Sequence, residues 1–141
     1  MTINLDFLLS FKGHTDKPED RKFIYLIEDL VKHYISKDNS IIVATISCKD
    51  EIDNQAIISL AKEADKQGLR TIGVLTKPDT IEKGTHSSWT KILRGDAHQL
   101  ALGYYVVRNP IPIELKEGIS FERARENEKK VGNTILMYIY Y

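Results

Sequence analysis

Three short runs rich in β-branched and aromatic residues constrain the fold of this chain more than any other feature. They are Ser40 to Ile46 (SIIVATI), Arg70 to Leu75 (RTIGVL) and Gly103 to Val107 (GYYVV). The first is bounded by polar residues, and all three have strand length. The first is a continuous β-branched run, and the first two read as strands buried on both faces. Around them the apolar residues return at helical spacing. Phe23, Ile24, Ile27, Leu30, Val31 and Tyr34 mark one amphipathic helix, which Asp20 can cap. Ile57, Leu60, Ala61 and Ala64 mark a second over 52–67, with Gly68 placed to end it. Trp89, Ile92 and Leu93 share one side of a third, Thr85 to Gly95. Asn109-Pro110 and Pro112 predict an irregular stretch. Ser120 to Lys130 then reads as a charged helix whose capping box is half present.

Strands separated by helices of this length imply right-handed crossovers and a parallel sheet. The expected class is therefore α/β, with a mainly parallel sheet of three central strands alternating with helices. Residues 3 to 11 (INLDFLLSF) could supply a further strand, and Lys12 to Asp20 is polar and broken by Gly13 and Pro18.

The 141 residues suit one domain, and the formal net charge of +0 gives no single-sign field to draw the chain onto nucleic acid or an anionic membrane. Cys48 is the only cysteine, so an internal disulfide is excluded; it reads as a small apolar residue at a strand end rather than a reactive thiol. Met1 to Phe11 carries Asp6 and lacks a basic start, which makes a poor signal peptide. The apolar run Thr134 to Tyr141 is too short to span a membrane. These features together predict a cytoplasmic protein without a transmembrane segment.

In open α/β sheets ligands bind beyond the carboxyl ends of the strands. Three segments stand there: Ser47 to Glu51, Thr76-Lys77-Pro78-Asp79, and Arg108-Asn109-Pro110. The second carries chemistry. A carboxylate held just past a strand end presents two acceptors in one plane, and guanine offers two donors in one plane. The match is bidentate and charge-assisted. Adenine lacks that donor pair and would leave Asp79 unpaired, which discriminates by roughly 10⁴-fold where a site is built on such a bond. Lys77 can lay its stem over the purine face, and the Thr76 hydroxyl can tie the loop to nearby backbone. Taken as four letters alone, the string is more often a solvated turn. Arg108 could touch a phosphate or ribose, or simply be a solvated strand-end arginine.

The surroundings of that motif resemble one family. Thr71 to Thr80 (TIGVLTKPDT), continuing Ile81-Glu82-Lys83-Gly84-Thr85, is similar to the base-recognition region of dynamin-superfamily GTPases. Lys37 to Ala44, then Asn54-Gln55-Ala56 with Leu60 to Asp65 and Gly68, resemble the strand and helix before it. Leu102 to Asn109 resembles the strand leading to the second guanine loop, and Gly118 to Glu122 with Ala124-Arg125 is most like the fungal dynamin-like branch. The resemblance runs from about residue 13 to about residue 130, the carboxyl-terminal half of a G domain, between an atypical segment (1–12) and an atypical apolar tail (131–141). It implies a partial P-loop-GTPase-like three-layer fold. It implies guanine binding by Thr76, Lys77, Asp79 and Asn109, although Pro110 stands where the family has a basic residue. It places Glu51 at an acidic position that in the family contacts a partner G domain; a solvated loop carboxylate is the competing reading.

Hydrolysis in that family needs G-x-x-x-x-G-K-[ST], a threonine switch and D-x-x-G, which hold the phosphates and Mg²⁺. None of the eight glycines is followed by lysine. The nearest approach to D-x-x-G is Ser10-Phe11-Lys12-Gly13, where serine cannot supply the anion. The expectation is thus a truncated G domain that holds GTP or GDP weakly or not at all, lacks the family's Mg²⁺ ligands, and has no catalytic residue of its own. The alternative is a non-catalytic module that pairs with an intact dynamin-like G domain as a homo- or heterodimer, linked to membrane remodelling only through that family. His14, His33, His86 and His98 show no metal-ligand spacing. A receiver-like domain would need an acidic cluster at its first strand end, where only Asp6 lies nearby.

Overall fold

The computed structural model describes residues 18–82 and 84–140, with side chains over 22–82 and 84–133. The readings made on residues 1–17, including the strand over 3–11 and the Ser10 to Gly13 comparison, lie outside these residues. The element order is α1 (Pro18–Ile35), β1 (Ile42–Ser47), α2 (Ala56–Ala64), β2 (Thr71–Thr76), α3 (His86–Arg94), β3 (Tyr104–Val107), α4 (Pro112–Lys116) and α5 (Phe121–Tyr140). Short 3₁₀ turns stand at Ile52–Asn54 and Pro78–Thr80.

The sheet has three strands in the order β1-β2-β3, and both pairings are parallel. This is the α/β architecture expected from the alternating pattern, consistent with part of a P-loop-GTPase-like fold. Burial on both faces is not observed. Along β1 and β2 buried and half-buried residues alternate. Ala44, Ile46 and Leu75 point into the core, which they share with Val31 of α1, Ile57, Ile58 and Leu60 of α2, and Trp89 and Ile92 of α3. Val43, Thr45, Ile72 and Val74 face the other way and are half-buried. Periodicity could not show this, because both faces carry β-branched side chains.

Element ends differ from the sequence reading for local reasons. Helix α1 begins at Pro18, two residues before Asp20; proline's fixed φ and missing N–H suit a first turn. The segment read as one helix over 52–67 is a 3₁₀ turn followed by α2. Asp65 closes α2, and Gly68 makes the turn behind it at φ +64°. Pro112, taken as a breaker, instead opens the short helix α4. The Glu114 carboxylate accepts from the Ile111 N–H at 2.9 Å and holds that first turn. Ser120 caps α5 through the Arg123 N–H at 3.2 Å, as its position suggests, but α5 runs on to Tyr140 rather than stopping at Lys130.

The amino end of β2 is tightly bonded. The Asp65 carboxylate accepts from the Leu69 N–H (3.1 Å), the Arg70 N–H (3.0 Å) and the Thr71 hydroxyl (2.6 Å). Burial alone would raise its pKa, but these donors overcome burial and hold it below the ordinary 3.8. The Arg70 guanidinium donates to the carbonyls of Ser40 (3.0 Å), Ile35 (2.7 Å) and Ala64 (2.8 Å), so it joins α1, the β1 entry and α2. Gly73 lies under the Tyr104 ring, and a Cβ there would sit 2.1 Å from Tyr104 Cδ1.

Candidate functional site

The strand register sets the site. Ser47 pairs with Thr76, and Thr76 pairs with Val107, so the three strands end on one level. The segments beginning at Cys48, Lys77 and Arg108 therefore leave one edge of the sheet side by side. The loop after β2 lies between the other two.

That central loop has a defined shape. Thr76 closes β2, and its hydroxyl donates to the Ile46 carbonyl at 3.2 Å. Its own carbonyl accepts from the Cys48 N–H at 2.8 Å, which ties the loops after β1 and β2 together. Lys77 then adopts the left-handed conformation, φ 54° and ψ 44°. A non-glycine residue pays about 1–2 kcal/mol for that backbone, so the surroundings must hold it. They do so through Thr80, whose N–H (3.0 Å) and hydroxyl (2.7 Å) both donate to the Lys77 carbonyl. Pro78 is buried beneath the turn. The outcome is that Lys77 and Asp79 both stand exposed. Among the described residues neither side chain has a hydrogen-bond or ion-pair partner.

Cys48 lies beneath this loop, 4% exposed. Burial first, and the nearby Asp79 charge second, push its thiol up to about 12. It stays protonated and serves as core, in accord with the apolar reading.

On the β3 side Asn109 is exposed and presented beside the central loop. Arg108 is neither a solvated arginine nor free for a phosphate. Its side chain is 9% exposed and pairs with Glu114. Nη2 donates to Oε1 at 3.0 Å, while Nη1 lies 2.8 Å from Oε2 outside hydrogen-bond geometry and contributes an ionic contact. Asn127 of α5 donates to the same carboxylate at 2.9 Å. Bonds from Arg108, from the Ile111 N–H and from Asn127 hold Glu114 below the usual carboxylate range. Arg108 is thus a clamp joining the β3 exit, α4 and α5. The partner that decides its role lies six residues on in a helix that Pro112 concealed.

On the β1 side Glu51 precedes the 3₁₀ turn and is exposed. The residue that sequence reasoning missed here is Gln55. Its buried amide accepts from the Ser47 N–H at 2.9 Å and donates to the carbonyls of Ser47 (2.8 Å) and Asp50 (3.0 Å). One side chain therefore fixes the loop that carries Glu51. Its only advance signal was a polar residue where a helix begins. A cleft of about 470 Å³ opens between this loop and α3, with Asp50, Glu51, Thr80, Glu82, Ser88 and Trp89 in its wall. Thr76, Lys77, Asp79 and Asn109 thus follow adjacent strands, whereas Glu51 lies across the cleft on the other flank. Among the described residues no three metal-ligating side chains converge.

Comparison with known proteins identifies the family. The family model described as the dynamin family matches residues 12–78, ending inside the central loop. The interferon-induced GTP-binding protein Mx2 of Oncorhynchus mykiss is 34% identical over 103 residues, which is 73% of this chain and 16% of that protein. Mx2 of Canis lupus familiaris is 35% identical over 108 residues, 77% of this chain and 15% of that protein. Mx of Gallus gallus is 33% identical over 108 residues, again 77% and 15%. The chain thus spans about a sixth of the length of the curated relatives it matches. On these relatives, and with a three-stranded parallel sheet, the chain belongs to the dynamin family and corresponds to part of its GTPase domain.

Proposed function

We propose that the carboxyl edge of β2 is a guanine-reading site: Asp79 accepts from the base edge, Lys77 covers one face and Asn109 borders the other loop. The observation that supports this most is the left-handed Lys77, a strained residue held by Thr80 so that two oppositely charged side chains stand exposed at a strand end, without a partner among the described residues. Strain of this kind gathers at binding sites. The 141 residues contain no phosphate-binding glycine-lysine motif. Our reading is therefore that this polypeptide binds the base of GTP or GDP weakly, gains little from the phosphates, and does not hydrolyse GTP unaided, since phosphate positioning supplies nearly all of that catalysis. Titration calorimetry with guanosine, GDP, GTP and ATP tests it. Guanosine and GTP should bind alike and ATP not at all; equal binding of ATP would overturn the guanine assignment, and far tighter GTP would overturn the loss of the phosphate half.

A second reading rests on the half-buried outer face of the sheet and on Phe23, Leu26 and Leu30 of α1, which are more than half exposed. Apolar surface of that kind marks an interaction face. On this reading the chain pairs with an intact dynamin-like G domain, with Glu51 at the contact. Light scattering that shows only a monomer at every concentration, with and without such a G domain, would remove it. A cytoplasmic location, a tie to membrane remodelling, the division at residues 12 and 130, and the fungal-branch affinity of residues 118–125 belong to the same proposal. The family supports the tie to membrane remodelling, and among the described residues no helix is long and apolar enough to cross a membrane; the division and the fungal-branch affinity rest on the sequence resemblance.

A further inference from the structure

A second cavity lies away from the base loop, against the amino-terminal half of the sheet. It encloses about 270 Å³ and opens between α2 and the loop that enters β3. Its floor is apolar: Ala44 and Ile46 of β1, Ile58 and Ala61 of α2, Leu100 and the Tyr104 ring. An apolar cavity of about 150 Å³ already takes a benzene ring. This one has room for a chain or ring of about eight carbons.

The walls are fixed rather than collapsed onto one another. The Tyr104 hydroxyl donates to the His98 carbonyl at 2.5 Å and anchors the loop on one side. Gly68, at φ +64°, lets Gln99 and Leu100 approach closely: a Cβ there would lie 3.0 Å from the Gln99 carbonyl. His98 itself holds a positive φ of 49°. Its Nδ1 lies 3.4 Å from Lys62 Nζ and its Nε2 3.4 Å from Asp53 Oδ1. With Lys62 donating to Nδ1, the ring proton is assigned to Nε2, facing Asp53. Lys62 is thereby held at the mouth, and Lys66 stands on the same rim. The one carboxylate in the wall, Asp65, is already occupied by Leu69, Arg70 and Thr71. The rim is cationic and the floor apolar.

We propose that this cavity binds a small amphiphilic monocarboxylate, with its hydrocarbon part on Ile46, Ile58 and Tyr104 and its carboxylate at Lys62 and Lys66. The site is separate from the base loop and does not rest on the guanine reading. Medium-chain octanoate is the probe, with octanol as its uncharged counterpart, followed by calorimetry and by amide shifts across Ile58, Lys62 and Leu100. Octanoate should bind saturably and lose affinity with added salt. Lys62→Met should weaken octanoate about threefold to fivefold, as a partly exposed ion pair allows, and leave octanol within about twofold. Leu100→Trp should fill the cavity and abolish binding of both, with guanosine binding unchanged. Should Leu100→Trp not fold, the Lys62→Met comparison of acid with alcohol still decides. Absence of saturable octanoate binding at millimolar concentration, or equal weakening of acid and alcohol by Lys62→Met, would overturn the proposal.

Discussion

The two ends of β2 use their polar residues in opposite ways. At the amino end Asp65 and Arg70 both serve structure. Asp65 caps three donors, and Arg70 bridges three carbonyls drawn from separate elements. At the carboxyl end, six residues away, Lys77 and Asp79 stand exposed on a loop whose backbone is held in a strained form. A fold that binds nothing here could relax Lys77 by placing glycine at that position. Stability resides where the charges are paired, and recognition where a left-handed backbone presents them exposed.

The contrast can be broken at its strongest point first. Gly73→Ala puts a methyl group into the Tyr104 ring, so the ring must leave its place over β2. We expect a loss of about 3 kcal/mol in denaturant unfolding, partly restored by a smaller residue at 104. Arg70→Met, which leaves three partly buried carbonyls without their donor, should cost about 2–3 kcal/mol by the same measurement. Asp65→Asn should cost about 1–2 kcal/mol near neutral pH. Its effect also depends on pH. The folded-state pKa of Asp65 is lowered below 3.8, so its contribution is complete above that value and is lost as pH falls below it. Wild-type stability should therefore fall more steeply than that of Asp65→Asn below about pH 4. Glu114 is lowered too and shifts both proteins alike, so the difference between them isolates Asp65.

The carboxyl end should answer in the other direction. Lys77→Gly removes the cost of a left-handed non-glycine residue and should raise stability by about 0.5–1 kcal/mol. Guanosine affinity should fall at the same time, because the stem over the purine face is gone. A variant that gains stability and loses binding is the signature expected of a functional position.

Much of this contrast was legible in the sequence. The strands and helices announced themselves through composition and period, and Thr76 to Asp79 stood at a strand end where α/β sheets bind ligands. The face of the sheet that is covered was not legible, because Val43 and Ile72 are as apolar as Ile42 and Leu75. Nor were the roles of Arg108 and Gln55. Both depend on partners set by three-dimensional contact: Glu114 in an unexpected helix, and the backbone of Ser47 and Asp50. The left-handed backbone at Lys77 also left no mark, since lysine is not a residue that signals it. Polar residues in short loops are the hardest to read, because the same letter serves as clamp or as ligand contact depending on what folds beside it.

The most direct test of the account is Asp79→Ala, measured twice on one preparation: unfolding by denaturant and titration with guanosine. We expect a stability change within about 0.5 kcal/mol, as for an exposed side chain, together with loss of guanosine binding. Retained guanosine affinity, or a large loss of stability, would contradict the assignment of the carboxyl end of β2 to recognition.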